Sequence, residues 1–205
     1  MSLMIKLILF DLGGVVFTNG TKKFIDDLAA RYNLEREKVV EVLDGEVGTK
    51  YREGDIDRDE FWKLVLEKLP LNETADELEK EWIGNYDLIE GTKEIIVGLK
   101  KKYKVMYLSD NVNERVDKLD ERFGFVSWFD GGIFSHEVGV RKPDPKIYQF
   151  ALKKGEAKPE EAVFIDDKPH FLIPAQEMGM TVILFESPER LAESLKSLGL
   201  TAHNP

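Results

Sequence analysis

At 205 residues, 42% of them hydrophobic, the chain is long enough for one domain with an insertion, or for a core and a small second domain. A formal net charge of −10 offers no basic field to a nucleic-acid backbone, and the absence of cysteine excludes disulfides, thiol nucleophiles and zinc–thiolate sites. No apolar run can cross a bilayer, no signal-peptide pattern is present and a cysteine-free chain suits a reducing compartment. The expectation is therefore a cytoplasmic protein that works on neither nucleic acid nor membrane.

Met1, Ser2 and Leu3 precede a second methionine, Met4, and read as a cloning scar outside the fold. The run "IKLILF" (5–10) is almost continuously apolar, the pattern of a strand buried on both faces in a parallel sheet. Residues 18–88 then contain no strand pattern. "TKKFIDDLAARY" spaces Phe24, Leu28 and Tyr32 at helical intervals. "DRDEFWKLVLEKL" opens with the capping-box pair Asp57 and Glu60 and places Phe61, Leu64, Val65 and Leu69 on one side. "TADELEKEWIG" repeats the device with Thr74 and Glu77. The aromatic side chains of Phe61, Trp62 and Trp82 are expected in the core of this helical insert.

After it, Ile95, Ile96 and Leu99 share a helix face, and "KVMYLS" (104–109) is a second buried-strand run. Asp144 as N-cap, Pro145 in the first turn and Gly155 at the end delimit another helix. "AVFID" (162–166) and "TVILF" (181–185) complete the strand set, with a helix ending at Gly179 between them. Strands alternating with helices predict an α/β fold: a doubly wound, mainly parallel Rossmann-like sheet with a small all-helical cap inserted after the first strand. The expected division is 4–17 and 89–205 for the core and 18–88 for the cap.

In open α/β sheets the ligand crevice lies at the carboxyl ends of the strands. Asp11, Ser109, Asp166 and Asp167 all stand at such ends, and Lys142 lies in the loop "GVRKPDP" before a helix. Clustered carboxylates repel one another and call for a divalent cation. Oxygen donors without His or Cys point to Mg²⁺, which commonly joins a few carboxylates to waters and a substrate phosphate. The lysine and the hydroxyl would balance the remaining phosphate charge.

With those residues in place, the sequence resembles the haloacid dehalogenase-like hydrolase superfamily. "FDLGGVV", "LSD", "RKPDPKIY" and "FIDD" match its four motifs in order, and the helical insert sits where its helical cap belongs. "YREGDIDRDEFW" and "SHEVGVRKPDP" are similar to the subgroup of sugar-phosphate phosphatases and the phosphatase domain of soluble epoxide hydrolases. The resemblance implies a phosphatase acting on a small phosphorylated substrate. Asp11 would be the nucleophile that forms an aspartyl-phosphate, and Lys142 would orient it and bind the phosphoryl oxygens together with Ser109. Mg²⁺ would be held by Asp11, the carbonyl of Gly13 and Asp167, with Asp166 supporting it.

Three positions depart from the family's pattern. Most of its phosphatases carry an aspartate at position 13, which protonates the leaving alcohol and then activates water; Gly13 has no side chain. The missing acid–base catalysis is worth about 10²–10⁴ in rate, so a weak or selective phosphatase is expected. Asp110 places an extra carboxylate beside the substrate, where it would either repel phosphate or replace the missing acid. Phe171 stands where related sequences often have asparagine. Two alternatives stay open: a non-catalytic or regulatory phosphate- or metabolite-binding protein on the same fold, and carbon–halogen hydrolysis by a strand-end aspartate. His170 is expected at the rim, His136 and His203 have no assigned role, and Tyr51 and Arg52 are cap residues that could face the substrate. The oligomeric state has no signature in the sequence.

Overall fold

The computed structural model describes residues 4–201; Met1–Leu3, expected from the sequence to be a cloning scar, and His203 lie outside them. The first strand, β1 (Leu7–Phe10), is followed by five helices: α1 (Gly20–Tyr32), α2 (Arg36–Asp44), α3 (Glu46–Glu53), α4 (Arg58–Lys68) and α5 (Ala75–Gly84). These five form the helical cap. Next come α6 (Thr92–Leu99), β2 (Lys104–Ser109), α7 (Asn113–Phe123), β3 (Gly132–Phe134), the single turn α8 (Ser135–Val138) and α9 (Pro145–Gly155). The chain ends with β4 (Ala162–Asp166), α10 (Pro169–Glu177), β5 (Thr181–Leu184) and α11 (Pro188–Ser197).

The five strands form one parallel sheet in the order β3-β2-β1-β4-β5. The strand patterns read from sequence hold within two residues at their ends. β3 was not expected: it has three residues, too few for a hydrophobic period to register. β1 is apolar at every position because both its faces are covered. Ile8 and Phe10 enter a core with α6, α7 and α11, whereas Leu7 and Leu9 enter a second core with α9 and α10. The first of these cores continues into the cap.

Helix ends follow their local chemistry. The Asp57 carboxylate accepts from the Glu60 amide at 2.9 Å, and Thr74 with Glu77 closes a full capping box. Inside the cap, Phe24 stacks on Trp82 at 5.2 Å and Tyr51 on Phe61 at 4.3 Å, with Trp62 edge-on to Trp82 at 5.8 Å. Trp62 is fully buried and Trp82 nearly so, so these rings are core. Trp62→Ala should cost about 3–5 kcal/mol of unfolding free energy, read as a lower urea midpoint. A loss below about 1 kcal/mol would mean that the cap collapses around the void.

Candidate active site

The crevice opens where the strand order reverses, between β1 and β4. Phe10 pairs with Ile165, so the next residues along, Asp11 and Asp166, stand abreast at the carboxyl end of the sheet. The Asp11 amide continues the ladder by donating to the Ile165 carbonyl at 2.9 Å. The chain then turns tightly: the Leu12 carbonyl accepts from the amides of Val15, Val16 and Phe17. The two glycines of this turn are not equivalent. Gly14 has φ of 90°, and a Cβ there would run into the Asp167 carboxylate. A Cβ at Gly13 would meet nothing within 4 Å. Close packing therefore requires glycine at 14 and leaves position 13 open.

Lys142 joins the two strand ends. Its Nζ lies 2.8 Å from Asp11 Oδ1 and 2.6 Å from Asp166 Oδ2, and its side chain is 1% exposed. Burial opposes the ammonium charge, but Asp11, Asp166 and Asp110 outweigh it and hold the lysine above its ordinary range. The phenyl rings of Phe164 and Phe171 lie 5.5 Å and 4.9 Å from the same ammonium. Phe171, unusual at its position in the sequence, thus packs against the buried cation.

One ammonium does not balance the carboxylates around it. Burial pushes Asp166 up to about 7 against the pull of Lys142, with the Asp11 charge adding to the rise. Burial and Asp11 raise Asp167 as well. Ligand oxygens of Asp11, Asp166 and Asp167 all lie within 4.8 Å of one another. Asp167 Oδ1 is buried with no hydrogen-bond partner. Crowded oxygen donors, one of them orphaned, fit a hard divalent cation.

Asp11, Gly13, Ser109, Asp110 and Lys142 line one cleft of ≈ 240 Å³ between core and cap. Ser109 closes β2 and is buried. Asp110 is engaged on both oxygens: Oδ1 accepts from the Lys142 amide at 3.0 Å and Oδ2 from Arg141 Nε at 3.3 Å. It therefore anchors the loop that carries Lys142. Arg141 also donates to Thr49 Oγ1 at 2.9 Å and to Asp44 Oδ1 at 3.3 Å, both in the cap, and so ties cap to core.

Of the cap residues, Tyr51 is held in the cap core, its hydroxyl donating to Glu114 at 2.9 Å, while Arg52 lines the cleft. His170 is exposed and borders a recess that adjoins the cleft and shares Arg141, Lys142 and Lys168 with it. His136 packs on Phe134 and bonds the Asn111 carbonyl at 2.8 Å. The cleft also collects Arg36, Arg115, Arg141 and Lys168. Arg141 lies in the motif "RKPDPKIY" and Lys168 directly follows "FIDD", but Arg36 and Arg115 stand in no motif, and only the fold brings the four together.

A family model described as haloacid dehalogenase-like hydrolase matches residues 5–179. The chain belongs to this family. It is 28% identical over 188 residues to a D-ribitol-5-phosphate phosphatase of Bacteroides thetaiotaomicron, covering 86% of this chain and 89% of that one. It is 36% identical over 89 residues to bifunctional epoxide hydrolase 2 of Mus musculus. That match takes in 43% of this chain but only 15% of the mouse protein. The crystal structure of a family enzyme from Bacteroides thetaiotaomicron, in complex with magnesium and inorganic phosphate, superposes with a TM-score of 0.77. It is 23% identical, and the match covers 89% of this chain and 95% of the other, so it speaks for the fold. The parallel sheet with a helical cap inserted after its first strand is thus the haloacid dehalogenase-like fold, and the chain is a hydrolase of that family. Its relatives include phosphatases. Among the described residues no helix is long and apolar enough to cross a membrane.

Proposed function

We propose that this hydrolase is a Mg²⁺-dependent phosphatase of small phosphate monoesters, selective for esters with good leaving groups. The observation that carries the reading is the buried ion-pair system at the sheet's carboxyl edge. The Asp11 carboxylate is fixed by Lys142 at 2.8 Å beside the orphaned carboxylate oxygen of Asp167. The relative that hydrolyses ribitol 5-phosphate and the structural neighbour crystallised with magnesium and phosphate add support.

In this reading an Asp11 oxygen attacks phosphorus. The Asp11 O–P bond forms as the ester P–O bond breaks, and the leaving oxygen takes the electron pair. Water then attacks phosphorus, releasing inorganic phosphate and restoring Asp11. Lys142 holds Asp11 in line and offsets charge on the phosphoryl oxygens, and the Ser109 hydroxyl donates to one of them. Asp11, the Gly13 carbonyl and Asp167 would hold Mg²⁺, with Asp166 supporting them. The cation, when bound, lowers the repulsion between the carboxylates and the incoming phosphate dianion. Asp110, tied to Arg141 and the Lys142 amide, keeps the loop in place and is poorly suited to replace the acid that position 13 lacks.

The test is a panel of aryl, anomeric and alkyl phosphates with and without MgCl₂, with Asp11→Asn as control. Turnover of the activated esters, lost with a chelator and lost in the control, is the expected result. Equal phosphate release by both proteins would defeat the reading. Gly13 supports a second reading, a non-catalytic phosphate-binding protein. It predicts that Mg²⁺ and inorganic phosphate bind, measured by calorimetry, with no ester turned over.

A further inference from the structure

The cleft holds more buried positive charge than phosphate transfer at Asp11 uses. Arg115, in the first turn of α7, is 4% exposed yet forms no ion pair among the described residues. Its one hydrogen bond runs from Nη1 to Asn111 Oδ1 at 3.3 Å, and its Nε is buried with no partner. An unmatched guanidinium donor in the interior costs folding free energy, and a cleft-lining arginine in that condition is poised for an external acceptor. Arg52 reaches the same cleft from the cap. Its contacts to the Leu43 and Gly48 carbonyls and to Asp44 all use Nη1, so Nε and Nη2 stand outside these three contacts, and the residue itself lines the cleft. Asp44 is itself shared with Arg141. Both guanidinium groups approach the Trp82 ring, Arg115 at 4.3 Å and Arg52 at 6.0 Å, so they lie near one indole.

Two buried arginines with free donors, one short of any carboxylate, form an anion site. They share a cleft with Asp11, Ser109 and Lys142 but arise from different elements, α7 and α3. Resting on the phosphatase reading, we propose that Arg115 and Arg52 bind a second anionic group of the substrate. The substrate class is then a small phosphomonoester with a carboxylate or a second phosphate at its far end. The Trp82 ring packs against Arg115 at 4.3 Å and helps hold that guanidinium in place. The cleft between core and cap thus selects by charge, and a neutral polyol phosphate leaves Arg115 unpaired.

The experiment compares matched pairs on wild-type protein with MgCl₂. 3-Phosphoglycerate and glycerol 3-phosphate differ by a carboxylate for a hydroxymethyl group. Fructose 1,6-bisphosphate and fructose 6-phosphate differ by one phosphate. The proposal expects kcat/KM to favour the doubly anionic member of at least one pair by about tenfold or more, and the pair that responds tells carboxylate from phosphate. Arg115→Met should bring that ratio close to one, and Arg115→Lys should retain part of it, which a merely structural arginine would not do. A wild-type preference below about tenfold in both pairs, alongside turnover of 4-nitrophenyl phosphate, overturns this inference and leaves the phosphatase reading intact. So does a ratio unchanged in Arg115→Met. Were no ester turned over, the phosphatase reading would fall. Calorimetric binding of the same four compounds then decides: tighter binding of a doubly anionic member sustains the anion site, and equal binding ends it.

Discussion

Gly13→Asp should raise turnover of an alkyl phosphate by about 10²-fold or more, the usual worth of a positioned general acid–base. The expectation rests on space and backbone. A Cβ at this position meets no atom within 4 Å, and Gly13 is not among the positive-φ glycines. An aspartate can therefore enter without strain, beside the carboxylate it would assist. An aryl phosphate should gain less, because its leaving oxygen departs as a stabilised anion. A gain equal for both esters would place the defect in the hydrolytic half. In that case the unmodified protein should show a burst of 4-nitrophenol, equal to the enzyme concentration, before steady state. No gain for either ester would refute the view that position 13 limits the rate. The neighbouring glycine is the contrast. Gly14→Ala puts a methyl group into the Asp167 carboxylate at a φ that L-residues avoid, and it should lower Mg²⁺ affinity instead of altering leaving-group preference.

The fold was legible in the sequence because its strands are short apolar runs with no polar alternation. That pattern arises only when both faces of a strand are covered, as Leu7 to Phe10 are by two separate cores. β3 escaped because a three-residue strand beginning at Gly132 has no period. That glycine is set by Tyr107, whose ring occupies the place of a Cβ. The acids at the strand ends were legible because topology puts every strand's carboxyl end on one edge. Residues that act across the cap–core boundary were not. Arg141 reaches Asp44 and Thr49 over sequence separations of 97 and 92, and nothing local marks it for that role. Arg115 looks like one more charge on a polar helix until the fold stacks it on Trp82. Phe171 was visible as a departure from the family pattern, but its reason, an aromatic face against the Lys142 ammonium, needed the structure.

The same ammonium carries the largest effect on both activity and stability. Lys142→Met keeps most of the side chain's volume and removes its charge, so packing against Phe164 and Phe171 survives while Asp11 and Asp166 lose their partner. Leaving one side of a buried pair uncompensated costs about 3–5 kcal/mol. For a protein of this size that is a fall in Tm of roughly 6–20 °C. Added MgCl₂ should recover more Tm in the variant than in the wild type, because a cation at the same carboxylates supplies positive charge that the lysine no longer does. Activity should not return with it. Asp11 would have lost the group that aims it, and the phosphoryl oxygens the charge that meets them, so kcat should stay about 10³-fold or more below wild type even with saturating magnesium. The lysine's raised proton affinity adds a check on sign. Its stabilising charge is fully present below the ordinary lysine range and is lost only as pH climbs through its elevated value. The Tm gap between variant and wild type should therefore not narrow through deprotonation of Lys142 between neutrality and pH 9. A gap that closed over that interval through loss of wild-type stability would show that Lys142 does not carry its charge in the fold, and the ion-pair account of the site would fail with it.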